Sequence, residues 1–85
     1  MRIIFQRRFD KDYKKAPPQV QDAFQERLQL FSQNPFHPFL RNHKLFGSYL
    51  HHRSINVTGD WRAVYRPIGE SEVWFTTIGT HSKLY

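Results

Sequence analysis

Five histidines, His37, His43, His51, His52 and His81, stand in 85 residues. Histidine is the side chain whose ordinary pKa, about 6.5, suits proton transfer near neutrality. Metal ligation is one use for such a set, with His43, His51 and His52 as the nearest approach to a ligand group. Against it, the sequence has no cysteine and no HExxH pattern. Adjacent histidines on a strand also point to opposite faces, so they do not readily share an ion. No metal and no cofactor is expected, and His37, between two prolines, reads as a loop residue. A second use is metal-free cleavage of RNA. That chemistry needs a base for the 2′-hydroxyl, an acid for the leaving 5′-oxygen and cations for the crowded phosphorane. His43, Asp60 and His81 are the candidates for proton transfer, and Arg62 follows Asp60 by two residues. Each also has a plainer reading. Asp60 after Gly59 is a common hairpin-turn residue, and Arg53, Arg62 and Arg66 suit an ordinary solvated strand face.

Elements must bring these distant residues together. Every glycine and proline falls between periodic segments, as turn chemistry requires. "RIIF" suits a short strand. Phe9, Tyr13 and Ala16 then recur at helical spacing, with Asp10 and Asp12 in the first turn, where the helix dipole favours negative charge. Pro17 and Pro18 end that helix and open another. Val20, Ala23, Phe24, Leu28 and Phe31 form one apolar stripe along "PPQVQDAFQERLQLFSQ", and "NPFHPF" terminates it. Residues 39–50 lack a clean period and read as a connection with partial order.

Strands follow. Ile55 and Val57 alternate with Ser54 and Asn56. Trp61, Ala63 and Tyr65 alternate with Arg62, Val64 and Arg66, and turns at 58–60 and 67–70 separate "HRSINV", "WRAVYR" and "EVWFTTI". The expected fold is α+β with the order β-α-α-β-β-β: two helices on one face of a small, mainly antiparallel four-stranded sheet. The other face, with the arginines, is left open to solvent or a ligand. Gly79 is read as turning the chain off the last strand, with Leu84 pinning residues 81–85 to the core.

Eighty-five residues fit a single domain spanning 1–85, with one core. Lys and Arg number 13 against 7 Asp and Glu, a net charge of +6, spread along the chain without a basic tail. That balance favours a polyanionic partner, nucleic acid or an acidic protein. The apolar run after Met1 is too short for a signal peptide or membrane span, so a cytoplasmic protein without membrane contact is expected.

"FDKDYKK", "QERLQLFSQNPFHPFLRNHKLFGSY", "HRSINVTGDWRAVYR" and "IGTHSKLY" together resemble the RelE/ParE toxin superfamily, on its YafQ-like branch. The resemblance covers nearly the whole chain and is most specific in HKL-x-G at 43–47, GDWR at 59–62 and GTH-x-x-L at 79–84. It implies a microbial-RNase-like fold and the toxin of a type II toxin–antitoxin pair. Such a toxin cuts mRNA on the ribosome without a metal and is held by a cognate antitoxin. Position by position, His43, Asp60 and His81 match the family's catalytic residues. Where YafQ-like members carry a further histidine four residues before the turn aspartate, Asn56 stands here, and it does not titrate near neutrality. The accompanying RNA- and phosphate-binding set is Lys44, Arg53, Asn56, Arg62, Lys83 and Tyr85, with Tyr85 able to stack on a base. Two other functions fit the same scaffold: a gyrase-inhibiting toxin of the ParE type, and a non-catalytic RNA binder using the arginine face.

Overall fold

Two prolines set the first half of the chain. The computed structural model describes residues 1–85. Helix α1 (Arg7–Lys15) stops because Ala16, one residue before Pro17, is driven to an extended ψ of 147°. Helix α2 (Pro18–Gln33) starts at once, since proline costs nothing at a first helical position. Because α1 begins at Arg7, only Asp10 lies in its first turn. Asp12 sits a turn further on and accepts a 2.6 Å hydrogen bond from the Thr77 hydroxyl. At the far end of α2, Asn34 is again extended before Pro35, and its Oδ1 accepts the Phe36 N–H at 3.0 Å.

The strands are β1 (Arg2–Phe5), β2 (His43–Lys44), β3 (Arg53–Thr58), β4 (Trp61–Ile68) and β5 (Glu72–Thr80), followed by a one-turn helix α3 (His81–Leu84). They form one sheet in the order β1-β5-β4-β3-β2. Strand β1 runs parallel to β5, and every other pairing is antiparallel. The expected architecture is therefore present with five strands rather than four. The extra one, β2, has two residues, too few to show alternation. Thr58 pairs with Trp61, which leaves Gly59–Asp60 as a two-residue turn. Gly59 supplies its positive φ of 49°.

One apolar cluster joins helices and sheet. Ile55, Val57, Ala63, Tyr65, Val73, Phe75 and Ile78 meet Phe9, Val20, Phe24 and Phe31. Phe75 is the hub: its ring lies 5.4–5.7 Å from those of Phe5, Phe9, Phe24, Phe31 and Tyr65. At the edge of this cluster Asn42 Nδ2 donates to the Tyr65 hydroxyl at 2.6 Å, and Arg53 Nε donates to Asn42 Oδ1 at 2.7 Å. The Arg53 guanidinium rests 5.1 Å from the Phe36 ring centroid. No helix is long and apolar enough to cross a membrane.

The opposite face of the sheet departs from expectation. Ser54, Asn56, Arg62 and Val64 do lie away from the helices, but Ser54 and Val64 are 0% exposed. That face is covered, not bare.

Phe75 touches five aromatic rings, so Phe75→Ala should cost about 3–5 kcal/mol. That is a large share of the roughly 5–15 kcal/mol expected for a domain of this size. A shift of the urea midpoint corresponding to less than about 1 kcal/mol would show that Phe75 is not the hub.

Candidate active site

Part of the cover comes from residues 81–85. The His81 N–H donates to the Asp60 carbonyl at 2.8 Å, which extends the β4–β5 ladder by one bond and aims the chain back over the sheet. Gly79 does not turn the chain: it lies within β5 opposite Arg62. A Cβ there would stand 3.2 Å from Leu84 Cδ2, so the missing side chain is what lets Leu84 settle on the strand. The Tyr85 N–H donates to the His81 carbonyl at 3.0 Å and closes the single turn.

Tyr85 then reaches across to β3. Burial raises its phenol pKa, while the neighbouring Ser54 hydroxyl and the Arg62 charge pull it back down. The Ser54 hydroxyl is itself buried and makes no well-aligned hydrogen bond. The Tyr85 ring stands edge-on to His81 at 4.8 Å and to Tyr49 at 6.4 Å. The Tyr49 hydroxyl in turn accepts from Arg8 Nη2 at 3.1 Å.

His43 belongs to the same face. It pairs in register with Ser54, and cross-strand partners point the same way. Its Nδ1 lies 2.9 Å from the Arg41 carbonyl. A carbonyl only accepts, so Nδ1 carries the hydrogen and the neutral ring keeps its lone pair on Nε2, the form a general base requires. Asn56 and Arg62 are register partners between the two ends of the site. Arg62 Nη1 donates to the Gly59 and Trp61 carbonyls at 2.9 and 3.0 Å, which holds the guanidinium at the hairpin that carries Asp60.

The trio is thus unevenly spaced. Asp60 and His81 are joined through their backbones. Two strand spacings and four residues of β4 separate the His43 Cα from that of Asp60, about 16 Å. Such a gap, reduced by the reach of two side chains, suits a phosphodiester with its flanking riboses rather than one shared atom.

Three of the other expected contacts lie elsewhere. Lys44 pairs with Arg53 across β2 and β3, and both share the side of the sheet that carries Tyr65. Arg53 is engaged by Asn42 and Phe36 there. Lys83 borders a small hollow of about 80 Å³ with Asp12, Lys15 and Trp61, on the α1 side. Tyr49, Arg8 and Ser54 join the face without having been singled out. Tyr49 follows Gly47, whose φ of 66° redirects the chain, and that redirection leaves no mark in residue spacing. The largest cavity, about 320 Å³, opens between Leu45, Phe46, Leu50, His52, Arg53 and Pro67. It lies away from His81 and Asp60, and an extended polymer needs a surface more than a hollow. No three His, Asp or Glu side chains gather closely enough to hold a metal ion.

Comparison with known proteins gives a consistent picture. A sequence profile described as "Bacterial toxin of type II toxin-antitoxin system, YafQ" matches residues 1–85. No curated protein sequence matches. Among solved structures, YafQ from E. coli strain BL21(DE3) superposes with a TM-score of 0.82 at 24% identity, over 100% of this chain and 99% of that one. A YoeB/ParE toxin from Agrobacterium tumefaciens gives 0.78 at 18% identity, over 95% and 99%. The toxin of the E. coli DinJ-YafQ toxin-antitoxin complex gives 0.79 at 24% identity, over 98% and 94%.

Burial of Tyr65, and the partial desolvation of Tyr85, which is still 46% exposed, make stability depend on alkali. Folding raises the pKa of Tyr65 and Tyr85 above the ordinary 10.0, chiefly by desolvation. A group whose folded pKa is raised contributes stability that is fully present below its unfolded pKa and lost as pH climbs through the folded value. The urea midpoint should therefore hold steady up to the ordinary tyrosine pKa and fall beyond it, and Tyr85→Phe should make that fall shallower. A variant whose midpoint falls as steeply as wild type would mean that the Tyr85 phenol is not desolvated beside Ser54.

Proposed function

The chain belongs to the YafQ family of bacterial type II toxin–antitoxin toxins, and from that membership and its covered sheet face we propose that it is a metal-independent endoribonuclease. It cuts mRNA on the ribosome in the cytoplasm and so stops translation. The observation that carries this reading is that two histidines remote in sequence share one face: His43 pairs with Ser54, and Tyr85, edge-on to His81, rests beside the same Ser54.

The chemistry follows from the parts. The 2′-oxygen attacks the adjacent phosphorus and the 5′-oxygen departs. His43, with its lone pair on Nε2, is suited to take the 2′-hydroxyl proton. His81, exposed and tied to Asp60 through its backbone, is suited to protonate the leaving oxygen. Arg62 offers positive charge to the phosphorane, and Asn56 offers hydrogen bonds beside it. Tyr85 offers a ring for a base unstacked from the message. Nothing in this scheme calls for a metal or cofactor. The E. coli complex described above pairs YafQ with DinJ, and by the same logic this chain has a cognate antitoxin. The net charge of +6 suits an acidic segment that folds on the toxin.

Primer extension on a translated message after brief induction tests the reading. Wild type should produce discrete breaks, and His81→Ala should reduce cleavage by about 10²-fold or more while its circular dichroism stays unchanged. Folded His81→Ala that cuts like wild type would remove His81 from the chemistry.

A further inference from the structure

We propose that Arg8 and Tyr49 form a strap that holds Tyr85, and through it His81, in working orientation. Both are positioning residues, and neither needs to touch the reacting atoms. The proposal rests on reading His81 as a proton-transfer residue.

The strap is a continuous run of contacts from the sheet to the site. The Thr77 hydroxyl donates to Asp12 Oδ2 at 2.6 Å. Arg8 Nε lies 3.8 Å from the same Asp12 oxygen, one helical turn away. Arg8 Nη2 donates to the Tyr49 hydroxyl at 3.1 Å. Tyr49 meets Tyr85 edge-on at 6.4 Å, and Tyr85 meets His81 edge-on at 4.8 Å. Tyr49 also meets His52 edge-on at 5.8 Å.

Each link is weak, and Arg8 is well exposed, so the run adds little to global stability. Its effect is local. Residues 81–85 form only one helical turn, and such a segment frays unless something ties it down. His81 has its backbone fixed at Asp60, while its imidazole is without a hydrogen-bond partner and has the Tyr85 ring as its aromatic neighbour. Tyr85 therefore sets how the imidazole turns, and Tyr49 sets where Tyr85 rests. The loop at 45–52 and the start of α1, remote in sequence from His81, are coupled to it by this route. General acid catalysis is sensitive to such placement, since small displacements of a catalytic group cost large factors in rate.

The test removes the Arg8–Tyr49 bond from each end. Tyr49→Phe deletes only the hydroxyl, and Arg8→Ala deletes the donor. Single-turnover cleavage on programmed ribosomes should slow on the order of tenfold in each variant, with the half-saturating toxin concentration unchanged. The double variant should be no slower than either single one, because both remove one interaction. Independently of activity, amide exchange at Tyr85 should quicken and the His81 imidazole resonances should move in all three, while exchange at Phe75 stays as in wild type. Additive losses in the double variant, or unchanged Tyr85 exchange and unchanged His81 resonances, would overturn the strap. Wild type that fails to cut would overturn the cleavage reading, and the exchange and resonance data would still decide the strap.

Discussion

One backbone hydrogen bond decides where the proposed site residues stand. The His81 N–H reaches the Asp60 carbonyl at 2.8 Å and so ties the end of β5 to the tip of the β3–β4 hairpin. Without it, α3 has no fixed starting direction, Leu84 has no reason to lie on Gly79, and Tyr85 does not arrive at Ser54. The bond is possible only because Gly59 accepts a positive φ and holds the hairpin to two residues. A longer turn would carry the Asp60 carbonyl away from the strand end. A constraint of geometry, rather than of charge, thus places an imidazole, a carboxylate and a guanidinium at one corner of the sheet.

The sheet can offer that corner because its other side does the stabilising. Phe75 and the rings around it lie against α1 and α2, so the face carrying His43 and Arg62 is free to hold polar residues. Burial on the far side is modest and is supplied in part by residues 81–85 themselves. Ser54 loses solvent to a segment that also carries two of the proposed site residues. Burial and the proposed chemistry meet in that short segment, and the low intrinsic order of a single helical turn explains why it is supported from several directions.

Much of this was legible in the residues. The prolines at 17, 18 and 35 marked the helix ends because ring sterics act locally. The stripe from Val20 to Phe31 and the alternation in β3 and β4 named the right core residues, because period follows directly from backbone geometry. What escaped were features whose cause is non-local. Strand β2 is too short to alternate. Arg53 looked like its neighbours Arg62 and Arg66, but odd and even positions of β3 face opposite ways, and Asn42 claims its guanidinium. Gly79 looked like a turn because glycine usually marks one, whereas here its bareness serves a leucine five residues on. Tyr49 and Arg8 could not be paired from spacing, since only the completed fold brings them together. His43, Asp60 and His81 stood out by residue type and again by family resemblance, and the fold adds their unequal separation.

The parallel pairing of β1 with β5, Arg2 opposite Glu72, has a consequence for biosynthesis. The strand made first waits for almost the entire chain before its edge is occupied, and the rings of Phe9 and Phe24 wait with it for Phe75. A nascent chain therefore emerges with its largest apolar surfaces unmatched, and such long-range closure is slow and exposed to misassembly. The protein acquires its native form late and all at once, so partly translated copies are clients for chaperones and proteases before they are anything else.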